Sequence, residues 1–376
     1  MRFALAGALF AITTAALWHN SHASPQRLVA RADDAPRAPK WLDIPDLTIK
    51  KELPLAYWYN YTARVVYQGR DGLIACTQRV ESFNREISAI ETIQAGDPKK
   101  YGMSPIVKHM FAKPVTKKIG GYFCTLSTWP RSVSLKEYMQ QMNPKQKDKA
   151  LPAIITQVVA ALRYLESVSL VHENINTENI MVRQDLASSI PEIIITSSYS
   201  LWGIPMSNDF SLFWVVTTES RRERFLCDYG YQPPEDYSKL RKVDMRQRSS
   251  WMLGATIYDA LTGMPPYGFD SVVSGAVPWP LETFENVLAD VATTGNNTFP
   301  PVETSHNQPL LKLMETLLDA NAITRPTVSK LNATLLEELA KSGDTQPPNL
   351  SNPVSIWSLL KLAATTVNPF ARSEPK

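Results

Sequence analysis

The feature that most constrains the fold is a change of hydrophobic periodicity about one third of the way along the chain. Residues 47–128 mix short apolar runs, typical of strands at 63–67, 72–79 and 122–126, with a single helical pattern. From Ser134 onward the apolar residues repeat mainly at helical spacing. This order predicts an α+β chain in which a small β-rich lobe precedes a larger helical lobe.

Three later helices are predicted within the helical part, at residues 251–261, 310–318 and 328–339. Gly263 follows the first of them at a position where glycine commonly ends a helix. The folded domain is therefore expected to extend over residues 47–339.

The N-terminus has the pattern of a secretory signal. Arg2 precedes an apolar run, and Ser21-His22-Ala23 offers small residues at the two positions that signal peptidase reads. The run is shorter than the ~20 residues that a membrane span needs, so a cleaved signal over residues 1–23 is favoured over a membrane anchor. Residues 24–46 are interpreted as a flexible leader, and residues 340–376 as a tail with a short amphipathic stretch.

Composition excludes several classes of protein. Apolar residues make up 44% and charged residues 20%, enough for a buried core. The formal net charge of +3 gives no electrostatic reason to expect a nucleic-acid partner. Three cysteines are too few for a disulfide scaffold and lack metal-ligand spacing, and no later segment is apolar enough to span a membrane.

Four Asn-x-Ser/Thr sequons would be candidates for glycosylation in a secreted protein. They begin at Asn60, Asn296, Asn332 and Asn349. Their number is weak support for secretion, because a chain of this composition contains such triplets by chance.

Several short motifs occur in one order along the chain. Residues 171–181 read Val-His-Glu-Asn-Ile-Asn-Thr-Glu-Asn-Ile-Met, residues 231–235 read Tyr-Gln-Pro-Pro-Glu, and residues 325–327 read Arg-Pro-Thr. The set resembles the protein kinase family: the first motif is similar to its catalytic loop and the second to the end of its activation segment. His172 and Asn179 match that loop, and Glu86 matches the glutamate of the family's small-lobe helix.

The resemblance implies a bilobal kinase-like fold, with a small lobe over residues 47–128 and a large lobe over residues 129–339. It also implies a buried ion pair between Glu235 and Arg325 in the large lobe. His172 is then expected to be a structural histidine rather than a general base.

At three positions the sequence departs from the family pattern where the chemistry is done. Asn174 stands in place of the loop aspartate, Thr77 in place of the phosphate-binding lysine, and Ser197 in place of the metal-binding aspartate. An amide has no useful basicity, and neither hydroxyl supplies the missing charge. The three glycines of the phosphate loop correspond to Tyr59, Tyr61 and Arg64, and the tyrosines are expected to occupy the space that the phosphates need.

These departures predict a catalytically inactive kinase-like protein, or pseudokinase, with no ATP, magnesium or other cofactor. Two alternatives would keep some chemistry: in one, Arg64 replaces the lysine by pairing with Glu86, and in the other, Asp209 is the metal ligand. A solvated Arg64 is favoured over the first, and a poor preceding strand argues against the second. An unusual active kinase of the secretory pathway and a nucleotide sensor without turnover are the alternative functions.

Cys76 and Cys124 fall on strands that are neighbours in the kinase small lobe, so a disulfide between them is one interpretation and two buried thiols the other. Cys227 would remain the odd thiol. Arg221, Arg222 and Arg224 form a basic run, interpreted as a solvated face rather than a docking site. The leading functional hypothesis is a secreted protein that binds a protein partner, with an effector role directed at a host suggested by analogy.

Overall fold

The computed structural model describes residues 39–53, 59–111, 113–129, 132–183, 191–196, 201–203, 213–215, 227–238, 242–272 and 275–343. The predicted signal peptide and the amphipathic stretch of the tail lie outside these residues.

The small lobe is built on a five-stranded antiparallel sheet with the spatial order β1-β2-β3-β5-β4. Its strands are β1 Leu47–Glu52, β2 Tyr61–Tyr67, β3 Arg70–Thr77, β4 Val115–Ile119 and β5 Tyr122–Trp129. β2 and β3 are joined by Gln68 and Gly69, both at positive φ, which is the backbone that a tight two-residue hairpin requires. The second predicted strand therefore begins and ends two residues earlier than expected.

The outer face of this sheet has its own apolar core. Cys76 lies directly opposite Cys124 in the β3–β5 pair, and a disulfide joins them with an S–S distance of 2.07 Å. Trp41, from the segment before β1, stacks on Tyr122 with ring centroids 4.0 Å apart. Helix α1, Val80–Ala95, packs on the other face of the sheet, where it contacts β3 and β5.

The large lobe is mainly helical and packs around two long helices. Its helices are α2 Leu135–Gln140, α3 Pro144–Ser167, α4 Met245–Thr262, α5 Leu281–Thr294, α6 Gln308–Leu317 and α7 Ala333–Lys341. Helix α3 begins with a capping box formed by Asn143 and Gln146, and α4 ends at Gly263 with a φ of 91°. Trp251 on α4 is completely buried in the large-lobe core. The mixed architecture confirms the predicted fold class.

Short strands and 3₁₀ turns lie between the longer elements of both lobes. The strands are β6 Ser132–Ser134, β7 Leu170–His172, β8 Ile180–Arg183, β9 Glu192–Ile195, β10 Leu201–Gly203, β11 Phe213–Val215, β12 Lys242–Asp244, β13 Phe269–Val272 and β14 Gly275–Pro278. The 3₁₀ turns are Pro98–Tyr101, Pro105–Met110, Pro234–Tyr237 and Val328–Lys330.

The expected continuous helix over residues 328–339 is wrong. A 3₁₀ turn over Val328–Lys330 comes first, and α7 begins only after Asn332, whose side chain accepts a hydrogen bond from Thr334 N. Asparagine competes with the backbone for hydrogen bonds, so it favours a helix start over a helix interior.

Within the described residues, no helix is both long enough and apolar enough for a membrane crossing.

A buried ion pair joins the Pro234–Tyr237 turn to the loop that follows α6. Arg325 Nη1 lies 2.6 Å from Glu235 Oε1, and Nη2 lies 3.0 Å from Oε2. The Arg325 guanidinium also stacks over the Trp251 ring and donates to Asp319 O. Both charged side chains are almost fully buried, so each depends on the other for compensation of its charge.

We predict that Arg325→Ala lowers the free energy of unfolding by about 3–5 kcal/mol, because it leaves the Glu235 carboxylate buried without its partner. Chemical denaturation of the purified protein would measure this change. Lys312→Ala, an exposed position on α6, is the matched control and should change little.

Adding Glu235→Gln to Arg325→Ala should recover part of the loss, since the uncompensated charge is then removed. Equal stability of Arg325→Ala and the wild type would contradict the structural role of this pair.

Candidate functional site

The loop between β7 and β8, residues 173–179, faces the small lobe, since Arg64 on β2 contacts Glu178 in this loop. His172, at the end of β7, is buried, and burial lowers its pKa to about 4. Its Nδ1 accepts a hydrogen bond from Asn174 N at 3.3 Å, so Nε2 carries the proton and donates to Thr196 O at 2.9 Å. These contacts make His172 a neutral group that fixes the loop to the strand end at Thr196.

Asn174 is buried, and its side-chain oxygen is engaged by two donors. Asn174 Oδ1 accepts from Asp228 N at 3.0 Å and from Asn176 Nδ2 at 2.9 Å. Its backbone oxygen accepts from Asn179 Nδ2 at 2.9 Å. The loop position expected to carry a base therefore carries an amide that organises its neighbours.

Asn176 links this loop to the segment that follows Cys227. Its Oδ1 accepts from the backbone N–H groups of Glu178 and Asn179, which fixes a local turn, and its Nδ2 donates to Asp228 Oδ2 at 2.7 Å. Sequence reasoning missed both Asn176 and Asp228. The available signal was position: Asn176 lies within the loop motif, and Asp228 lies shortly before the Pro-Pro-Glu motif.

On the small-lobe side, Tyr59 reaches the glutamate of helix α1. The Tyr59 hydroxyl donates to Glu86 Oε2 at 2.6 Å, and Thr125 Oγ1 lies 3.2 Å from Glu86 Oε1. All three residues are buried. Thr77 is also buried, and its hydroxyl oxygen accepts from Arg79 N at 3.0 Å. Two neutral hydroxyl groups, those of Tyr59 and Thr125, thus contact Glu86, for which the family resemblance implies a lysine partner.

The expectation for Tyr61 is wrong. Tyr61 pairs with Cys76 across the β2–β3 ladder, and directly paired residues share a sheet face. Its ring packs against Trp41 on the outer face, away from Glu86. Tyr59 lies before β2 begins, so its side chain is not held to the face that Tyr61 shares with Cys76, and Tyr59 is the tyrosine that contacts Glu86.

Neither interpretation of Arg64 matches the structure. Arg64 Nη2 lies 3.3 Å from Glu178 Oε2, and Nη1 lies 3.7 Å from Glu137 Oε2. The side chain retains 24% of its exposure, so it is not a fully solvated strand arginine, and it turns toward the large lobe rather than toward Glu86. Arg64 connects β2 to helix α2 and to the loop at Glu178.

Several predicted positions lie outside the described residues: Ser197, Asp209, the basic run Arg221, Arg222 and Arg224, and Asn349. Among the residues that the structure describes, no group of three or more histidine, cysteine, aspartate or glutamate side chains is arranged to hold a metal ion. Asn60, Asn296 and Asn332 are all exposed.

A cluster of buried charges behind the loop was also missed. Asp236 and Arg248 form a two-pronged ion pair at 2.8 and 2.7 Å, and Cys227 is a buried free thiol nearby. Glu173 is buried next to this pair, and desolvation raises its pKa to about 8 despite the opposing effect of Arg248. Glutamate side chains are normally exposed, so the burial of Glu173 could not be predicted from the sequence.

Known proteins of similar sequence show the family to which the chain belongs. A family model described as the protein kinase domain matches residues 115–335, which is more than half of the chain. The chain therefore belongs to the protein kinase domain family. The match begins after the strands and helix that carry Tyr59, Thr77 and Glu86.

Several curated serine/threonine kinases are distant relatives. Serine/threonine-protein kinase ENV7 of Saccharomyces cerevisiae is 27% identical over 178 residues, covering 46% of this chain and 43% of the relative. Serine/threonine-protein kinase ATG1 of Debaryomyces hansenii is 30% identical over 124 residues, covering 32% and 14%. Human 3-phosphoinositide-dependent protein kinase 1 is 26% identical over 114 residues, covering 30% and 17%. The chain spans less than half the length of each of these relatives.

We predict that stability falls as the pH rises from 6.5 to 8, because of Glu173. Its folded-state pKa of about 8 lies above the ordinary value of 4.5, so the folded protein keeps a proton that the unfolded chain has lost. The contribution is complete below pH 4.5 and is lost as the pH rises through 8, by about 2 kcal/mol over this window.

The pH range from 6.5 to 8 lies outside the range in which two other buried groups, Asp236 and His172, mainly titrate. Desolvation raises the pKa of Asp236 to about 6, so its effect is largely complete by pH 6.5. Burial lowers the pKa of His172 to about 4, so its effect runs the other way and ends near 6.5. Glu173→Gln should flatten the dependence of melting temperature on pH between 6.5 and 8, whereas the exposed control Glu338→Gln should not. An unchanged slope in Glu173→Gln would refute the assignment.

Proposed function

We propose that this chain is a secreted, catalytically inactive member of the protein kinase family that acts by binding a protein partner. The observation that carries the proposal is the contact between the Tyr59 hydroxyl and Glu86. Tyr59 is a buried side chain inside the cleft, at the position where the family resemblance implies a glycine that leaves room for phosphates.

The charges that phosphoryl transfer depends on are replaced by neutral groups. Asn174 offers an amide in place of a base, and Thr77 offers a hydroxyl in place of a cation. Losing one catalytic group typically costs about 10²–10⁴-fold in rate, and such losses do not add simply. Together with the occupied cleft, they support binding rather than turnover as the function.

The lobes are held together by the protein's own side chains. Arg64 on the small-lobe sheet contacts Glu137 and Glu178 of the large lobe, and the buried Tyr59 is hydrogen-bonded to Glu86. A scaffold linked in this way needs no nucleotide to bring its lobes together. It would present a preformed surface across both lobes, which reduces the entropic cost of binding a partner.

Secretion is the part of the proposal that rests on the sequence. The signal pattern over residues 1–23 and the exposed sequons at Asn60, Asn296 and Asn332 support it. An effector role directed at a host is the form of the proposal that analogy with secreted kinase-like proteins favours.

We predict that the purified protein does not bind Mg-ATP. A thermal-shift titration with millimolar ATP, with and without magnesium, is the measurement. A ligand at 100 times its dissociation constant would stabilise the fold by about 2.7 kcal/mol and raise the melting temperature by several degrees. A clear magnesium-dependent rise would overturn the proposal and support the nucleotide sensor, or the active kinase if phosphate transfer accompanies it.

Restoring three charges should not restore activity while Tyr59 remains. The variant Thr77→Lys, Asn174→Asp, Ser197→Asp, made together with Asp228→Asn so that two carboxylates do not meet at position 174, is expected to show no phosphate transfer to a generic protein substrate. Further addition of Tyr59→Gly tests whether the tyrosine is the remaining obstruction to nucleotide binding in the cleft.

We predict that Asn60 carries a glycan when the protein is made through a eukaryotic secretory route. Asn60 is exposed directly beside Tyr59, and its Oδ1 accepts from Gln78 N at 2.8 Å, which holds the side chain at the cleft mouth. Intact mass before and after deglycosylation, compared with Asn60→Gln, measures occupancy. An unmodified Asn60 would remove this support for a closed, secreted scaffold.

A further inference from the structure

One carboxylate lies unexpectedly against the loop at Asn174. Asp228 Oδ2 accepts from Asn176 Nδ2 at 2.7 Å, and the same Nδ2 donates to Asn174 Oδ1 at 2.9 Å. The backbone N–H of Asp228 donates to Asn174 Oδ1 at 3.0 Å. Asp228 is therefore joined to the loop through its backbone and its side chain, and both contacts involve an asparagine.

Asn176 fits this carboxylate because it supplies a donor. Asp228 is exposed as a residue, but its carboxyl group lies against the loop, where desolvation raises its pKa and hydrogen bonding at the loop opposes that rise. Asn176 Nδ2 lies within hydrogen-bond distance of both Asn174 Oδ1 and Asp228 Oδ2, so these two oxygens lie close together. Because the Asn174 amide carries no charge, it does not repel the Asp228 carboxylate.

A carboxylate at position 174 would have the opposite effect. It would place a negative charge on the side-chain oxygen that now lies beside Asp228 Oδ2, and two carboxylates that share a site repel each other until one takes up a proton. The neighbouring charges do not remove this conflict, because Glu178 adds to the negative charge and Lys136 partly offsets it.

We propose that Asn174 and Asp228 are an exchanged pair, in which the carboxylate of the loop has moved to the segment 227–238 and each residue permits the other. Asp228 is a positioning residue: it fixes the start of that segment to the loop. Tyr231 continues the attachment through Asp259 and Thr177, and Glu235 completes it through Arg325. The inference holds whether or not the chain binds a partner.

The proposed pair explains why Asn174→Asp alone would not give a stable chain with an aspartate in the loop. Asn174→Asp in the wild-type background would separate the loop from the segment 227–238, so a chain altered only there would lose structure before it gained a base. Reversion requires a change at Asp228 as well.

A double-mutant cycle tests the pair, using the wild type, Asn174→Asp, Asp228→Asn and the double variant, each measured by thermal melting at pH 5 and pH 7.5. Asn174→Asp should lower the melting temperature at pH 7.5 by several degrees and by less at pH 5, where the two carboxylates can share a proton. Asp228→Asn should be mildly destabilising alone, yet should raise the melting temperature of Asn174→Asp.

Hydrogen exchange of residues 227–231 supplies a second readout. Exchange there should accelerate in Asn174→Asp and return toward the wild-type rate in the double variant. If Asn174→Asp does not fold, recovery of folded protein by adding Asp228→Asn supports the pair, and failure of the double variant to fold refutes it.

Asn332→Asp is the matched control, since it makes the same change at an exposed helix start far along the chain from Asp228. Its melting temperature should not be raised by Asp228→Asn. Additive effects of Asn174→Asp and Asp228→Asn, or a loss that is the same at both pH values, would overturn the proposal. Neither result depends on ATP binding, so failure here is distinguishable from failure of the proposed function.

Discussion

The ion pair between Glu235 and Arg325 is the interaction on which the large lobe depends. It joins the 3₁₀ turn at Pro234–Tyr237 to the loop after α6, and the guanidinium lies against Trp251 at the centre of the core. Two buried charges are stable only together, so the pair fixes these elements relative to one another. The pair holds the fold without taking part in phosphoryl transfer, which fits the proposal that the fold serves to present a surface.

The residues around Glu86 and Asn174 make several hydrogen bonds within the protein. Tyr59 and Thr125 satisfy Glu86, while Asn176 and Asp228 satisfy Asn174. A site that uses its hydrogen-bonding groups within the protein has less to offer a nucleotide, because a ligand would have to displace contacts already made. This is the physical basis for regarding the chain as a binding scaffold.

Much of the fold was predictable, but less of the site. The order of the motifs placed His172, Asn174, Glu235 and Arg325 in one domain, because short motifs carry their structural context with them. Tyr61 and Arg64 were misplaced, since strand alternation and the approach of the two lobes set where those side chains point. Asp228 was missed because its importance comes from contact with residues about fifty positions earlier in the chain.

The sequence by itself determined the two-lobed α+β domain, the neutral residues at positions 77 and 174, and the partners of the buried ion pair. The first two follow from residue identity and spacing, which are local properties, and the third follows from the resemblance to the protein kinase family. The tertiary structure alone decided that Tyr59 meets Glu86, that Arg64 crosses to Glu178, and that Glu173 is buried beside Arg248. Such contacts join distant segments, and their energies depend on burial and distance, which exist only once the chain has folded.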